Sequence, residues 1–287
     1  HEVSGEIVAL GDGVNKKMWA PGDRVAVRLL YNCGECYYCR TGHANLCERA
    51  QKKPVREGLL IGPGGLCDYV IVNTGYLFKI PDTLSYEEAS LTEPLACVVH
   101  SVTKANIQLG EDVVVIGGGI MGQYHVMLAK RRGARVIMSE VDESRRALAR
   151  KLGADITFNP MEKDPVEYVK SLTEGRGADV VFNTTAIPSV VPQAIAMTGK
   201  AGRMIQYSSM HPDAPAPVSP QMLHGNEPIL TGSISPDVHD FFTANRLLSG
   251  GIIDCKPLIA KKFPFEQAQQ AFEAAIVPGT FRVIITD

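Results

Sequence analysis

Asp112-Val113-Val114-Val115-Ile116-Gly117-Gly118-Gly119-Ile120-Met121-Gly122 sets an apolar run of strand length directly against a glycine-rich turn, and a helical stretch over 121–132 follows it. The order is strand, turn, helix. G-x-G-x-x-G then places glycine at three positions with separate physical reasons: Gly117 for the tight turn, Gly119 so that backbone can approach a pyrophosphate, Gly122 so that helix and strand pack closely. Ile120 and Met121 open the helix, whose free N–H groups would face the anion. An acid at the end of the next strand completes the signal. Glu140 closes the strand read over 135–139 and lies 18 residues beyond Gly122, suited to accept hydrogen bonds from a ribose 2′-hydroxyl. A carboxylate there repels a 2′-phosphate and favours NAD, whereas Arg145 and Arg146 would favour NADP.

Outward from this stretch the alternation continues, with strands read over 156–158, 180–183, 203–207 and 229–232 and helices in most of the gaps, as over 144–152. Six strands joined by helices describe an α/β, doubly wound parallel Rossmann sheet. Thr184 and Ser208 end strands of that series, where ligands of open α/β sheets bind, and are candidates to line the cofactor site. Beyond residue 232 the pattern stops; helices over 237–248 and 265–276 and a closing strand over 282–286 are expected to return to the first domain.

Upstream, residues 3–27 show short apolar runs broken by Gly11-Asp12-Gly13 and Pro21-Gly22-Asp23, and residues 67–72 alternate again, so the chain to about Pro81 reads as a β-rich unit. Ser85-Tyr86-Glu87-Glu88 has the form of a capping box and predicts a helical stretch to about residue 106. Between the β runs, Cys33, Cys36, Cys39 and Cys47 follow C-x2-C-x2-C-x7-C. Four thiolates in one polar loop can close a tetrahedral shell around Zn²⁺ with no position left for substrate, so the expected role is structural. His43 is surplus to that shell and is read as a surface residue; Cys67, Cys97 and Cys255 are read as small core residues.

With 45% hydrophobic and 21% charged residues, 287 residues suffice for two cores. The 29 Lys and Arg against 31 Asp and Glu, without a long run of one sign, point away from nucleic acid. No apolar run reaches the roughly 18 residues of a membrane span. The first residues carry neither a basic nor an apolar leader region, which makes a cytoplasmic location the expectation. There is no initiator Met, and the start on a mid-strand pattern suggests upstream sequence.

These residues resemble the zinc-containing medium-chain dehydrogenases, which include alcohol, sorbitol and threonine dehydrogenases. The likeness covers nearly the whole chain and rests on His1-Glu2-Val3-Ser4-Gly5-Glu6, Pro21-Gly22-Asp23-Arg24-Val25, the four-Cys lobe, Glu93-Pro94-Leu95-Ala96, the glycine fingerprint and Arg150-Lys151-Leu152-Gly153-Ala154-Asp155. It implies a GroES-like catalytic domain over residues 1–96, a Rossmann domain over 97–236, and a return to the catalytic domain over 237–287. It also implies a second, catalytic zinc held by His1 and Glu93, with Glu2 as ligand or near-ligand. Imidazole and carboxylate leave Zn²⁺ an open position for a substrate hydroxyl. The family's upstream Cys ligand and the Ser or Thr beside it are not in this sequence, so the expected catalytic domain is incomplete at its N-terminus. Arg282 resembles the family position that reaches the cofactor pyrophosphate, and His100 reads as a packed helix residue. The resemblance thus implies oxidation of a small-molecule secondary alcohol by NAD in a homodimer or homotetramer. The alternative is an NAD-binding, catalytically silent homologue that keeps only the structural zinc; a zinc-free quinone reductase relative is disfavoured by the Cys lobe and Glu93.

Overall fold

Two compact units make up the chain, residues 1–99 together with 235–287, and residues 100–234; the computed structural model describes residues 1–50 and 64–286. In the first unit, β1 (Glu2–Glu6), β2 (Arg24–Arg28) and β3 (Leu77–Lys79) form an antiparallel sheet in the order β1-β2-β3, with Glu2 opposite Arg28 and Val3 opposite Val27. Val25 and Val27 bury one face with Ile7 and Leu29, and Trp19, Val72 and Leu77 pack over it. The turn into β2 needs a left-handed residue, which Gly22 supplies at φ +90° while its N–H donates to the Ile7 carbonyl at 2.8 Å. The Cys lobe, with its single helical turn α1 (Tyr37–Arg40), follows β2. Residues 67–72 are not a strand. Alternation alone makes no strand without a neighbour to complete the hydrogen-bond ladder, and no described strand pairs with this run; Tyr69 and Ile71 stand exposed.

The helical stretch expected from Ser85 is two helices, α2 (Tyr86–Ser90) and α3 (Thr92–Ala105). The capping box is present: the Ser85 hydroxyl accepts from Glu88 N at 3.2 Å, and the Glu88 carboxylate accepts from Ser85 N at 3.3 Å. The interruption at Leu91 follows from Pro94, which has no N–H to donate and would crowd the carbonyl four residues back. Restarting the helix at Thr92 puts that proline in a first turn, where it is tolerated. Glu93 thereby stands in the same first turn.

In the second unit, chain order runs β4 (Asp112–Ile116), α4 (Ile120–Arg131), β5 (Arg135–Ser139), α5 (Glu143–Leu152), β6 (Ile156–Phe158), α6 (Pro165–Leu172), β7 (Ala178–Asn183), α7 (Val190–Met197), β8 (Thr198–Gln206), α8 (Pro220–Asn226) and β9 (Ile229–Gly232). The six strands are parallel in the order β6-β5-β4-β7-β8-β9, which is the doubly wound sheet expected. Both faces are covered, so β4 reads as an unbroken apolar run; Val114, Ile116, Ile137, Val181 and Met204 form the core beneath α6 and α7 with Val169, Ala194 and Met197. Strand β8 begins five residues before the start read from sequence. Its first part holds Gly199-Lys200-Ala201-Gly202, with Ala201 at φ +54° and a register shift opposite Ala178 and Val180, so turn chemistry masks the strand.

The C-terminal residues return to the first unit as α9 (Val238–Ser249), capped by Asp237 and Asp240, then β10 (Ile259–Pro264), α10 (Ala268–Ala275) and β11 (Arg282–Thr286). Strands β10 and β11 pair in parallel; β10 has two lysines and a terminal proline and shows no strand signal in the sequence. Ion pairs from Lys262 to Glu87 and from Arg282 to Glu2 tie this segment to the N-terminal one. Among the described residues no helix is long and apolar enough to cross a membrane.

Candidate functional site

The glycine turn between β4 and α4 has the geometry its residues call for. Gly117 takes φ +97° and is backed by Thr184, whose hydroxyl donates to the Ile116 carbonyl at 2.8 Å. A Cβ on Gly122 would stand 1.9 Å from the Gly117 carbonyl oxygen, whereas one on Gly119 would meet nothing within 4 Å. The two glycines therefore have different duties: Gly122 closes helix against turn, and Gly119 keeps an open approach at the N-terminus of α4, beside Ile120 and Met121. A pyrophosphate fits such a cradle. Glu140 is buried at the end of β5, where its carboxylate accepts from Gly118 N and, at 2.9 Å, from Asp142 N, with the Arg145 guanidinium 3.9 Å away. Arg146 is engaged with the Glu140 and Val141 carbonyls. A carboxylate already fixed by backbone donors is preorganised to receive ribose hydroxyls. Glu140→Ser is expected to raise KM for NAD by about tenfold or more and to move the NAD over NADP preference by about 100-fold, as steady-state kinetics with both cofactors will show.

Thr184 faces the turn rather than standing apart from it, and Ser208 lies after β8 with its N–H donating to the Asn183 carbonyl at 3.4 Å. Three buried polar residues were not singled out from the sequence. Gln123, in the first turns of α4, donates from Nε2 to the Gly118 and Arg145 carbonyls, both at 3.0 Å, and so joins the glycine turn to α5. Asn183 bonds Gln206 at 2.9 Å and accepts from the Thr185 hydroxyl at 2.8 Å. His125 shares its ring nitrogens with Ser101 Oγ and the Met121 carbonyl and packs against Phe182 and Tyr207; burial pulls its pKa down to about 4, so it is neutral. The sequence signal was available in principle, since Gln123 and His125 interrupt a helix that is apolar where it meets the sheet.

In the first unit the four sulfurs of Cys33, Cys36, Cys39 and Cys47 lie within 4.8 Å of one another. Cys33 Sγ and Cys39 Sγ are 3.9 Å apart, close to the edge of about 3.8 Å that a tetrahedral shell with zinc–sulfur bonds of about 2.3 Å requires. Backbone N–H groups already point at the sulfurs: those of Glu35 and Cys36 at Cys33, and those of Cys33 and Arg49 at Cys47. These donors draw the Cys33 pKa down to about 6, while burial and the neighbouring sulfurs push Cys39 up to about 12. Four thiolates this close cannot all ionise without a cation among them, so the donor set fits Zn²⁺. His43 is exposed, as expected, and so is Cys67, which corrects its reading as a core residue; Cys255 is buried.

His1, Glu2 and Glu93 converge as well, each offering a ligand atom within 4.8 Å of the others. Glu2 opens strand β1 with His1 directly before it, and α3 carries Glu93. His1 Nδ1 is 3.4 Å from Glu93 Oε1, and that contact raises the imidazole pKa, with burial opposing. Glu93 is only 3% exposed. The Cys97 thiol, one turn further along α3, donates to the same oxygen at 3.5 Å; it is half-buried rather than core, and burial beside Glu93 pushes its pKa up. Glu2 is held by Arg282 at 2.6 Å, yet burial outweighs that cation and raises the Glu2 pKa. One imidazole and two carboxylates gathered within 4.8 Å of one another suit a divalent cation, which takes histidine in its neutral form. The structure thus gives Arg282 a carboxylate partner in its own unit.

Residues 1–82 match the family model for the alcohol dehydrogenase GroES-like domain, and residues 121–250 match that for zinc-binding dehydrogenases. D-arabitol-phosphate dehydrogenase of Enterococcus avium is 33% identical over 290 residues, covering 99% of this chain and 80% of that protein. Sorbitol dehydrogenase of Bacillus subtilis is 32% identical, covering 96% and 76% respectively. Among solved structures, 2R,3R-butanediol dehydrogenase of Bacillus subtilis superposes with a TM-score of 0.86 at 30% identity, over 100% of this chain and 80% of that one. A provisionally named zinc-binding dehydrogenase of Sinorhizobium meliloti 1021, bound to NADP, gives 0.89 at 28% identity, over 100% and 82%.

Proposed function

The chain belongs to the zinc-containing medium-chain dehydrogenases, the zinc-dependent oxidoreductases that act on alcohols and polyols, and from that premise we propose that it oxidises a secondary alcohol of a polyol, sugar derivative or hydroxy amino acid, with NAD as hydride acceptor. The observation that carries the reading is the meeting of the adjacent His1 and Glu2 with the sequence-distant Glu93, within 4.8 Å. In this proposal residues 1–96 with 237–287 are the catalytic domain and residues 97–236 bind the cofactor.

Zn²⁺ held by His1 and Glu93, with Glu2 beside them, would supply Lewis acidity that lowers the pKa of the substrate hydroxyl. The protein's own contribution is placement and field. Burial of Glu93 keeps its charge in a low dielectric, where it acts strongly on its neighbours, and the Cys97 thiol fixes one of its oxygens. Arg282 holds Glu2, which leaves one carboxylate oxygen of Glu2 for any other partner. Gly119 and the N-terminus of α4 would receive the pyrophosphate of a dinucleotide and Glu140 its adenosine ribose, and the nicotinamide held in this way would supply the acceptor for the carbinol hydride, with the hydroxyl proton released to solvent.

The names of the relatives include polyol, threonine and sugar-acid dehydrogenases, which keeps these substrate classes in view. A homodimer or homotetramer in the cytoplasm is part of the same reading, and sedimentation of the protein decides the first of these. The test of function is metal analysis with turnover. Two zinc ions per subunit and NAD-supported oxidation within a polyol panel are expected; a single zinc without oxidation of any panel member would overturn the reading in favour of a silent dinucleotide-binding homologue.

A further inference from the structure

We propose that the alcohol accepted beside His1, Glu2 and Glu93 carries an anionic head group, a phosphate or a carboxylate, and that Arg28 in the adjoining cavity binds it. The inference rests on the alcohol-oxidation reading and deepens it by naming the substrate class.

Arg28 ends β2 and is only 2% exposed. A guanidinium removed from water is costly unless an anion compensates it. Among the described residues none of its contacts is an anion. Nη1 donates to Asn32 Oδ1 at 3.0 Å, Nη2 donates to the Pro236 carbonyl at 3.3 Å, the Tyr76 ring lies 5.5 Å from the guanidinium carbon, and Nε has no partner. Burial pulls the Arg28 pKa below its ordinary value, and the carboxylates that oppose this, Asp237, Glu93 and Asp240, act through their field from beyond ion-pair distance. Asp237 and Asp240 are committed to the capping box of α9, and Glu93 to the candidate metal site. The positive charge of Arg28 is therefore available to a ligand.

The space for that ligand is present. A cavity of about 550 Å³ is lined by Arg28, Tyr31, Asn32, Asn73, Tyr76 and neighbouring residues, a size suited to a small metabolite, with amide and phenol groups able to meet hydroxyls. Its position relative to the candidate metal site follows from strand register. Arg28 pairs with Glu2 across β1 and β2, and directly opposed residues of an antiparallel pair project to the same face, with Cβ atoms about 5 Å apart. A hydroxyl held at the His1, Glu2 and Glu93 group and an anion at Arg28 are thus separated by a span that a short carbon chain can bridge. The planar, five-donor guanidinium suits either a phosphate or a carboxylate.

The experiment compares matched neutral and anionic forms of the five-carbon polyols: xylitol, ribitol and D-arabitol, their terminal phosphates, and the corresponding aldonates. With the unmodified protein, kcat/KM for one anionic class is expected to exceed that of the parent polyol by about 30-fold or more. The two anionic arms separate phosphate from carboxylate. Arg28→Gln is expected to lower kcat/KM for the anionic class, chiefly through KM, by about tenfold or more beyond any loss on the neutral polyols, and Arg28→Lys is expected to restore part of it. Equal turnover of neutral and anionic forms, or an equal loss on all substrates in Arg28→Gln, would overturn the proposal. Retained zinc in the Cys lobe reports that the variant has folded, and Arg28→Lys carries the comparison where the glutamine variant has not. If no alcohol of any charge is oxidised with NAD or NADP, the dehydrogenase reading fails by itself. Calorimetry with xylitol 5-phosphate then reads the anion site alone: binding lost in Arg28→Gln supports it, and no binding, or binding unchanged by the substitution, overturns it.

Discussion

Glu93→Gln is expected to lower kcat/KM for alcohol oxidation by about 1,000-fold or more and to reduce bound zinc from two ions per subunit to one. The substitution keeps the volume of the side chain and leaves an oxygen to accept from Cys97 Sγ, so the packing of α3 is preserved while one ligand charge is removed. Because Glu93 is buried, bulk solvent compensates the lost charge less than it would at the surface. The zinc that remains should be the one in the four-Cys lobe, whose sulfurs belong to a separate group. Elemental analysis beside steady-state kinetics reads both effects; two zinc ions and kcat/KM within about tenfold of the unmodified protein would remove Glu93 from the site.

Gly122→Ala and Gly119→Ala should part company. At Gly122 the added methyl would sit 1.9 Å from the Gly117 carbonyl oxygen and 2.9 Å from its carbon, and that backbone cannot swing aside as a side-chain tip could. Loss of NAD binding and a fall in melting temperature of about 5 °C or more are expected, from an overpacking cost of about 1–3 kcal/mol or above. At Gly119 the methyl meets no protein atom within 4 Å, so the melting temperature should hold, and only the pyrophosphate contact should suffer, weakening NAD by about 100-fold. Calorimetric melting and NAD titration of the two variants separate structural from ligand-facing glycine. Equal destabilisation by both would show that the turn is packed from both sides.

Much of this arrangement is legible in the sequence because its causes are local. The β4 run, the glycine turn and Glu140 are close in sequence, and parallel strands buried on both faces leave a continuous apolar signature. The Cys lobe is legible for the same reason, since a zinc knuckle closes over a short loop. Residues 67–72 show the limit: alternation describes which faces could be buried, and a strand also needs a partner, which no local pattern supplies. Strand β10 shows the converse, a lysine-bearing segment made a strand by pairing with β11.

The amino-acid order by itself determined the doubly wound sheet, the dinucleotide turn and the four-thiolate loop, because periodicity, glycine sterics and short-range ligand spacing act over a few residues. Only the tertiary structure decided that Glu2 is held by Arg282, that Gln123 joins the glycine turn to α5, and that Arg28 lies buried beside a cavity without an anionic contact among the described residues. Burial and electrostatic compensation depend on which distant segments come together. A charged residue at the end of a strand carries no mark of either until the chain has folded.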